Sequence, residues 1–492
     1  MRLTDLLARA PGTSTRPAAP SAGVADPAIT GLTSDSRAVR PGFLFAALPG
    51  TKADGASFIP QALAAGAVAV LAAEGTALPA GATAALIADA NPRRRLALLA
   101  AAFYGRQPAT VVAVTGTNGK TSTVQFTRQI WERLGRRAAS LGTLGVTARG
   151  LDRYGSLTTP DTVSLHATLA ELADAGIDHL AMEASSHGLD QHRLDGVRIL
   201  SAGFTNLSRD HLDYHGSMDA YLAAKAMLFD RVLVPGGAAA LNADVPEFEV
   251  LAERCAQRGH RLLGYGFNGR ELTVRAVTPL PHGQRLDLRV LGDDFAVELP
   301  LAGRFQAWNA LCALGMVLGA GAEVGPAVAA LETLEPVRGR LERVAETPSG
   351  APIYVDYAHT PDALETILTA LRPHVQGKLV AVFGCGGDRD RGKRPVMGGI
   401  AAKLADLAIV TDDNPRTEDA AAIRAAVMAG CPGGIEIGDR ARAIREAVAG
   451  LKAGDLLVIA GKGHEQGQIV GTEVRPFDDA EEARKAVKEL RA

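Results

Sequence analysis

The chain has 492 residues, 47% hydrophobic and 22% charged, with a formal net charge of −2. At about 100–200 residues per domain that length suggests three domains, and the composition excludes a disordered or collagen-like chain. The near balance of 52 basic and 54 acidic residues gives no bulk electrostatic grip on nucleic acid.

The opening MRLTDLLARA has no long apolar stretch before a cleavage site, so no signal peptide is expected. Residues 10–30 are rich in Pro, Ala, Ser, Thr and Gly and read as a loose loop. The helix-like PQALAAGA and the apolar VAVLAA then make a small α/β domain ending near 108. From 109 the pattern becomes apolar run, glycine turn, helix. VVAVTG (111–116) reads as a buried strand by its β-branched content, and the segment after it is helical. HLAMEASS (179–186) and ILSAGFTN (199–206) repeat the theme. A second boundary falls near Gly339. Beyond it IYVDYA (353–358), KLVAVFGCGG (378–387), LAIVTDD (407–413) and DLLVIAGKG (455–463) alternate with helical stretches, as in a Rossmann-like doubly wound sheet. The expected division is therefore 1–108, 109–338 and 339–492, all α/β.

Two uncharged runs, 55–73 and 305–322, carry Pro60, Gln61, Gln306 and Asn309 and read as core segments rather than membrane spans. Cys255, Cys312, Cys385 and Cys431 are far apart and form no CxxC, which suits a reducing cytosol and offers neither a disulfide framework nor a zinc site.

Chemistry concentrates where the apolar runs end, as it does at the carboxyl ends of parallel strands. Gly116-Thr117-Asn118-Gly119-Lys120-Thr121-Ser122 joins a strand to a helix, so its backbone amides can turn toward a phosphate. Lys120 can reach terminal phosphates and Thr121 can offer its hydroxyl to Mg²⁺. The loop is a shortened form of the P-loop pattern, with valine at 114 where the first glycine would fall. Glu183 closes a buried strand and needs a partner there, either a metal or an ordinary ion pair. His211 and Asp213 follow the next strand; a lone His there is a site residue or a capping or core residue. Lys225 sits in a helical stretch, where a lysine is ordinarily a solvated surface charge. The cluster Arg389, Arg391, Lys393 and Arg394 lacks the interleaved aromatics of a nucleic-acid patch.

These residues together resemble the Mur ligase superfamily, and within it the branch that adds meso-2,6-diaminopimelate to UDP-N-acetylmuramoyl-L-alanyl-D-glutamate. The matching segments run in order through the chain: TSDSR (33–37), GTNGKTS (116–122), TTPD (158–161), MEASSHGLDQHR (182–193), TNLSRDHLDYHGSMDAYLAAKAMLF (205–229), RGRLE (338–342), DYAHTPDAL (356–364), GCGGDRDRGKRP (384–395), DDNPR (412–416) and GKGHE (461–465).

The resemblance implies a central ATP-binding domain between a UDP-sugar-binding domain and an amino-acid-binding domain. It implies that Lys225 carries a CO₂-derived carboxyl group, and that Glu183, His211 and Lys225 with Thr121 belong to a site for two Mg²⁺ ions. Asn309, Arg340 and Asp356 join the phosphate loop in holding ATP. Ser34, Ser36, Thr51, Lys52 and Ala53 face the uridine nucleotide, and Thr158, Thr159, Ser185, Gln191 and Arg193 the muramoyl dipeptide. Arg389, Asp413, Asn414, Pro415, Arg416, Gly461 and Glu465 match diaminopimelate contacts. Gln306 stands where the family has asparagine. The implied reaction is ATP-dependent amide ligation through an acyl phosphate, in cytoplasmic peptidoglycan precursor synthesis. His359 and His211 are candidates for the base that takes the amine proton. The chain is expected to act as a monomer, with neither nucleic acid nor membrane as partner. The alternatives are a sister ligase adding L-lysine or D-Ala-D-Ala, a folylpolyglutamate synthase, a P-loop kinase, or a catalytically silent ATP-binding regulator.

Overall fold

A computed structural model describes residues 1–10, 26–50, 54–153, 157–280 and 283–490. Most of the expected loose loop, residues 11–25, lies outside the described residues, as do Thr51, Lys52 and Ala53. The chain divides into two compact units, one made mainly of residues 1–273 with 309–327, the other mainly of residues 328–492 with 274–289 and 293–308.

The first unit opens with four parallel strands in the order β1 (Gly31–Thr33), β2 (Phe43–Ala47), β3 (Ala69–Ala73), β4 (Ala85–Asp89). The run 55–73 is cut by a turn into the helix Ile59–Ala64 and strand β3. The helix Pro92–Tyr104 then leads into a larger sheet. Eight of its strands are β5 (Thr110–Thr115), β6 (Ala138–Gly142), β7 (Gly145–Ala148), β8 (Leu151–Arg153), β9 (His179–Glu183), β10 (Ile199–Phe204), β11 (Leu233–Asn242) and β12 (Arg261–Gly266). In space the order is β12, β11, β10, β5, β9, β6, β7, β8, parallel from β12 to β6 and antiparallel in the β6–β7–β8 meander. Val111, Val112, Ala113 and Val114 of β5 are all buried because helices cover both faces, which is why the sequence runs apolar without alternation.

In the second unit six strands run in the order Glu342–Glu346, Pro352–Asp356, Leu456–Ala460, Leu379–Phe383, Leu407–Val410, Ile435–Glu436, parallel but for the antiparallel first pair. Leu379, Ala381 and Phe383 pack into one core, and Val380 and Val382 into another on the opposite face. The two-residue period of a strand thus feeds two hydrophobic layers at once. The four cysteines are free and buried, and no described helix is long and apolar enough to cross a membrane.

Candidate functional site

Strand β5 ends at Thr115, and its continuation turns through Gly116 and Gly119, the latter at φ +88°, into the helix Lys120–Arg133. A side chain at 119 would collide with the Asn309 amide, so glycine lets Asn309 close directly over the loop. The loop is braced from the neighbouring strand. Asn206 Oδ1 accepts from the Asn118 amide at 3.0 Å, and Thr205 Oγ1 donates to the Asn118 carbonyl at 2.6 Å. Lys120 Nζ folds back onto the Gly116 and Thr117 carbonyls, both at 2.9 Å. Thr121 and Ser122 are buried in the first helical turn.

Lys225 overturns the expectation of a surface charge. Its side chain is 1% exposed, Nζ donates to the Gly116 carbonyl at 2.8 Å, and the ammonium lies 4.1 Å over the Tyr221 ring. Tyr221, one helical turn earlier, reaches Thr117 of the loop at 3.4 Å. Burial first, and the Lys120 charge second, push the Lys225 pKa well below the usual lysine value.

Glu183 ends β9 and is 1% exposed. It accepts from the Thr143 amide at 2.8 Å and the Thr143 hydroxyl at 3.3 Å, and it makes no ion pair with any described residue. A buried carboxylate held only by neutral donors matches an oxygen ligand for a hard cation better than it matches an ion-pair partner. His211 is neither core nor a side-chain cap. It sits at φ +51° at the start of the short helix Leu212–His215, half exposed, with Asp210 at 3.5 Å and the His187 ring at 4.9 Å. Asp213 is exposed. Among the described residues no cluster of three or more His, Cys, Asp or Glu forms a metal site of protein side chains alone.

The residues matched to the dipeptide come together around Thr159. Its hydroxyl donates to the Glu183 carbonyl at 2.9 Å and accepts from the Ser185 amide and hydroxyl, both at 3.0 Å. Arg193 donates to the Thr159 carbonyl at 2.7 Å and to Gln191 Oε1 at 2.8 Å, and Thr158 pairs with Thr143 at 3.0 Å. In the N-terminal sheet the TSDSR segment turns just past β1. Asp35 accepts from the Arg37 amide, Ser34 is exposed, and Ser36 Oγ donates to Gln61 Oε1 at 3.1 Å.

In the second unit Arg340 lies 4.7 Å over the Tyr357 ring, and Gln306 donates to the Arg340 carbonyl at 2.9 Å, so glutamine at 306 braces that segment from within. Asp356 closes its strand and accepts from the Leu341 and Ala358 amides at 2.6 and 2.7 Å. Burial raises its carboxyl to about 6 against the lowering influence of Arg340.

Asn414 is the hinge of the last cluster. Its Nδ2 donates to Glu465 Oε2 at 2.9 Å, while its Oδ1 accepts from Lys462 Nζ and the Ile469 amide, both at 2.9 Å. Arg416, at φ +54°, directs Nη1 to the Gly387 carbonyl at 2.9 Å and to the Asn414 carbonyl at 3.4 Å. Gly461 carries φ +117°, and a side chain there would meet the Asp413 carboxylate 2.6 Å away. Pro415 is buried, whereas Arg389 is exposed and donates to the Asp388 carbonyl of its own loop at 3.0 Å. His359 is exposed, its ring on the Tyr357 carbonyl at 2.9 Å. Lys462 went unmarked in the sequence although it lies inside GKGHE. It is fully buried, and its ammonium bridges Asn414 and Glu465. Thr143, which holds Glu183, carried no sequence signal.

Comparison with known proteins places these clusters in a family. Residues 28–104 match the Mur ligase family catalytic domain, 114–317 the Mur ligase middle domain, and 339–463 the Mur ligase glutamate ligase domain. The UDP-N-acetylmuramoyl-L-alanyl-D-glutamate--2,6-diaminopimelate ligase of Caulobacter vibrioides is 55% identical over 470 residues, 94% of this chain and 96% of that protein. The ligase of the same name from Mesorhizobium japonicum is 53% identical over 468 residues, 95% of this chain and 96% of that one. A solved structure of a UDP-N-acetylmuramoyl-L-alanyl-D-glutamate--2,6-diaminopimelate ligase superposes with TM-score 0.72 at 36% identity, over 94% of this chain and 96% of that one. With three successive domains matched and relatives this similar along nearly their whole length, the chain belongs to the Mur ligase family, in the branch of its UDP-N-acetylmuramoyl-L-alanyl-D-glutamate--2,6-diaminopimelate ligases.

Proposed function

We propose that this chain joins meso-2,6-diaminopimelate to UDP-N-acetylmuramoyl-L-alanyl-D-glutamate at the expense of ATP, in cytoplasmic peptidoglycan precursor synthesis, as a monomer with domain boundaries near residues 108 and 338. The observation that carries the reading is the pairing of opposite charges on one amide residue. Asn414 bonds Glu465 through its side chain and Arg416 through its carbonyl. A guanidinium and a carboxylate side by side suit a distal end that bears both a carboxylate and an ammonium; diaminopimelate has that distal carboxylate and lysine lacks it.

The acceptor carboxylate is unreactive toward amines at neutral pH and has to be activated. It attacks the γ-phosphorus of ATP, the bond to ADP breaks, and an acyl phosphate forms. The amine of the L-centre of diaminopimelate then attacks the acyl carbon. Phosphate leaves and the amine proton passes to a base, for which His359 and His211 are the candidates. The loop 116–122 with Asn309 holds the phosphates, Lys120 offsets charge on the group in transfer, and Arg340 and Asp356 are the second unit's candidates for ATP contacts. Thr158, Thr159, Ser185, Gln191 and Arg193 orient the dipeptide, and Ser34 and Ser36, with residues 51–53, its nucleotide end. Arg389, Asp413, Pro415 and Gly461 complete the amino-acid pocket.

The residues fit two Mg²⁺ ions held by Thr121, Glu183, His211 and a carboxylated Lys225. Glu183 is a buried carboxylate that accepts from the Thr143 amide and hydroxyl, and burial of Lys225 favours the neutral amine that takes up CO₂. Bound Mg²⁺ supplies charge compensation to the phosphates. An amino-acid panel with the dipeptide nucleotide and ATP, scored by product mass, tests the reading. A product formed with diaminopimelate and none with L-lysine is expected; the reverse preference, or ATP hydrolysis without any amide product, overturns it.

A further inference from the structure

The turn bearing Gln191 and Arg193 rests on a carboxylate to which no role attaches so far. Asp195 is 5% exposed, yet three cationic or protonatable groups from three separate elements converge on it. Arg94, on the helix Pro92–Tyr104 that follows the N-terminal sheet, donates Nε to Oδ1 at 3.0 Å. Arg231, in the turn just after the Lys225 helix, donates Nε to Oδ2 at 3.1 Å and Nη2 to the Leu189 carbonyl at 2.6 Å. His192 Nδ1 faces Oδ2 at 3.4 Å.

His192 is itself held from the far side. Asn91, whose Oδ1 accepts from the Arg94 amide and so caps that same helix, places Nδ2 3.0 Å from His192 Nε2. An amide NH₂ can only donate, so Nε2 accepts and the ring proton sits on Nδ1, which lies 3.4 Å from Asp195 Oδ2 without hydrogen-bond geometry. His192 adopts φ +58°, a left-handed conformation that a non-glycine residue keeps only when its surroundings impose it. Its chain neighbours are Gln191 and Arg193. Burial alone would raise the Asp195 carboxyl, but His192, Arg231 and Arg94 outweigh it and hold the group below the usual carboxylate range, as an anion.

We propose that Asp195 is a positioning residue: through Arg94 and the Asn91–His192 pair it locks the dipeptide-holding turn 191–193 to the N-terminal domain, so that the two ends of a single acceptor are held in register. This rests on the function proposed above, in which the N-terminal domain takes the nucleotide end and Gln191 and Arg193 the peptide end. The charge matters because both arginines are oriented by it, and an uncharged isostere leaves two guanidinium donors on one weaker acceptor.

The test uses Asp195→Asn, Arg94→Gln and the double variant in the full chain. Asp195→Asn is expected to raise KM for the dipeptide nucleotide about tenfold with KM for ATP within about twofold, a split that loss of folded enzyme does not produce. Arg94→Gln, at a side chain 39% exposed, gives a smaller rise in the same constant, and the double variant is no worse than Asp195→Asn because one network is broken twice. Binding of UDP-N-acetylmuramate, which lacks the dipeptide, stays within about twofold of wild type, since one end alone needs no register. Equal rises in both KM values, additive single effects, or an equal loss of the truncated ligand overturn the proposal. Should Asp195→Asn not fold, Arg94→Gln carries the same split alone, and an unchanged KM there overturns it. Turnover by wild type is measured first: failure there strikes the proposed function itself, whereas turnover with no split in the variants strikes only Asp195.

Discussion

Lys120 and Lys225 donate to the same acceptor, the Gly116 carbonyl, at 2.9 and 2.8 Å. Burial first, and the Lys120 charge beside it second, favour the neutral form of Lys225. Removing Lys225 takes away the anchor for the proposed carboxyl group while leaving Lys120 in place. Lys225→Ala is expected to lose about a hundredfold or more of turnover, the scale of a lost charge-stabilising group. Short carboxylic acids such as formate restore part of it by occupying the vacated space with a free carboxylate. A variant as active as wild type, or one deaf to added acid, contradicts the carboxylation of Lys225.

Arg416 is the other residue on which the assignment turns. Its guanidinium is already oriented by the Gly387 carbonyl, so the remaining donors are presented without further ordering. Arg416→Ala is expected to raise KM for diaminopimelate by roughly tenfold or more while KM for ATP stays near wild type. Arg416→Lys rescues little, because an ammonium cannot form the paired bonds of the planar fork. Initial rates against each substrate in turn decide it. Equal shifts in both constants remove Arg416 from the amino-acid pocket.

Much of the fold was legible because parallel strands buried on both faces must be apolar runs. The segments 111–116, 179–186, 199–206, 353–358, 378–387, 407–413 and 455–463 all contain strands where expected. Strand β11 was not among the expected strands, and Pro235, Gly236 and Gly237 interrupt the apolar pattern along it. The structure accommodates them in a register shift, with Leu233 opposite Ile199 but Ala238 opposite Ser201. The site was legible where backbone chemistry dictates residue type, as at Gly119. It was illegible where meaning comes from what packs on top: nothing along the helix Met218–Met227 says that Lys225 is buried, and nothing near Thr143 says that it holds Glu183.

Lys462 illustrates the same limit and can be tested. Its ammonium, wholly inside the protein, bonds Asn414 Oδ1 at 2.9 Å and Glu465 Oε2 at 3.3 Å. Lys462→Met keeps the length of the side chain but leaves a buried amide oxygen and a carboxylate short of a donor. The expected cost is about 1–3 kcal/mol of stability, with a rise in KM for diaminopimelate larger than that for ATP, because the freed Glu465 and Asn414 lose their orientation. Denaturant unfolding and initial rates on the same preparation provide both measurements. Unchanged stability shows that water takes over the ammonium's bonds.

His166 offers a pH-dependent test away from the proposed chemistry. It is buried on the helix Thr162–Asp174 with Nε2 3.1 Å from the Asp195 carbonyl. Burial lowers its pKa from 6.5 to about 4, with the Asp195 contacts opposing the shift. The folded state therefore resists protonation more than the unfolded chain does. The neutral ring costs nothing above pH 6.5, and stability is lost progressively as pH falls from there toward 4. Over that window the loss amounts to about 3 kcal/mol. His166→Gln keeps a donor for the Asp195 carbonyl and has nothing to titrate. The unfolding free energy of wild type relative to His166→Gln is expected to fall between pH 6.5 and 4 and to be flat above pH 7. A difference that stays constant through the window means that His166 is protonated as readily inside the fold as outside it.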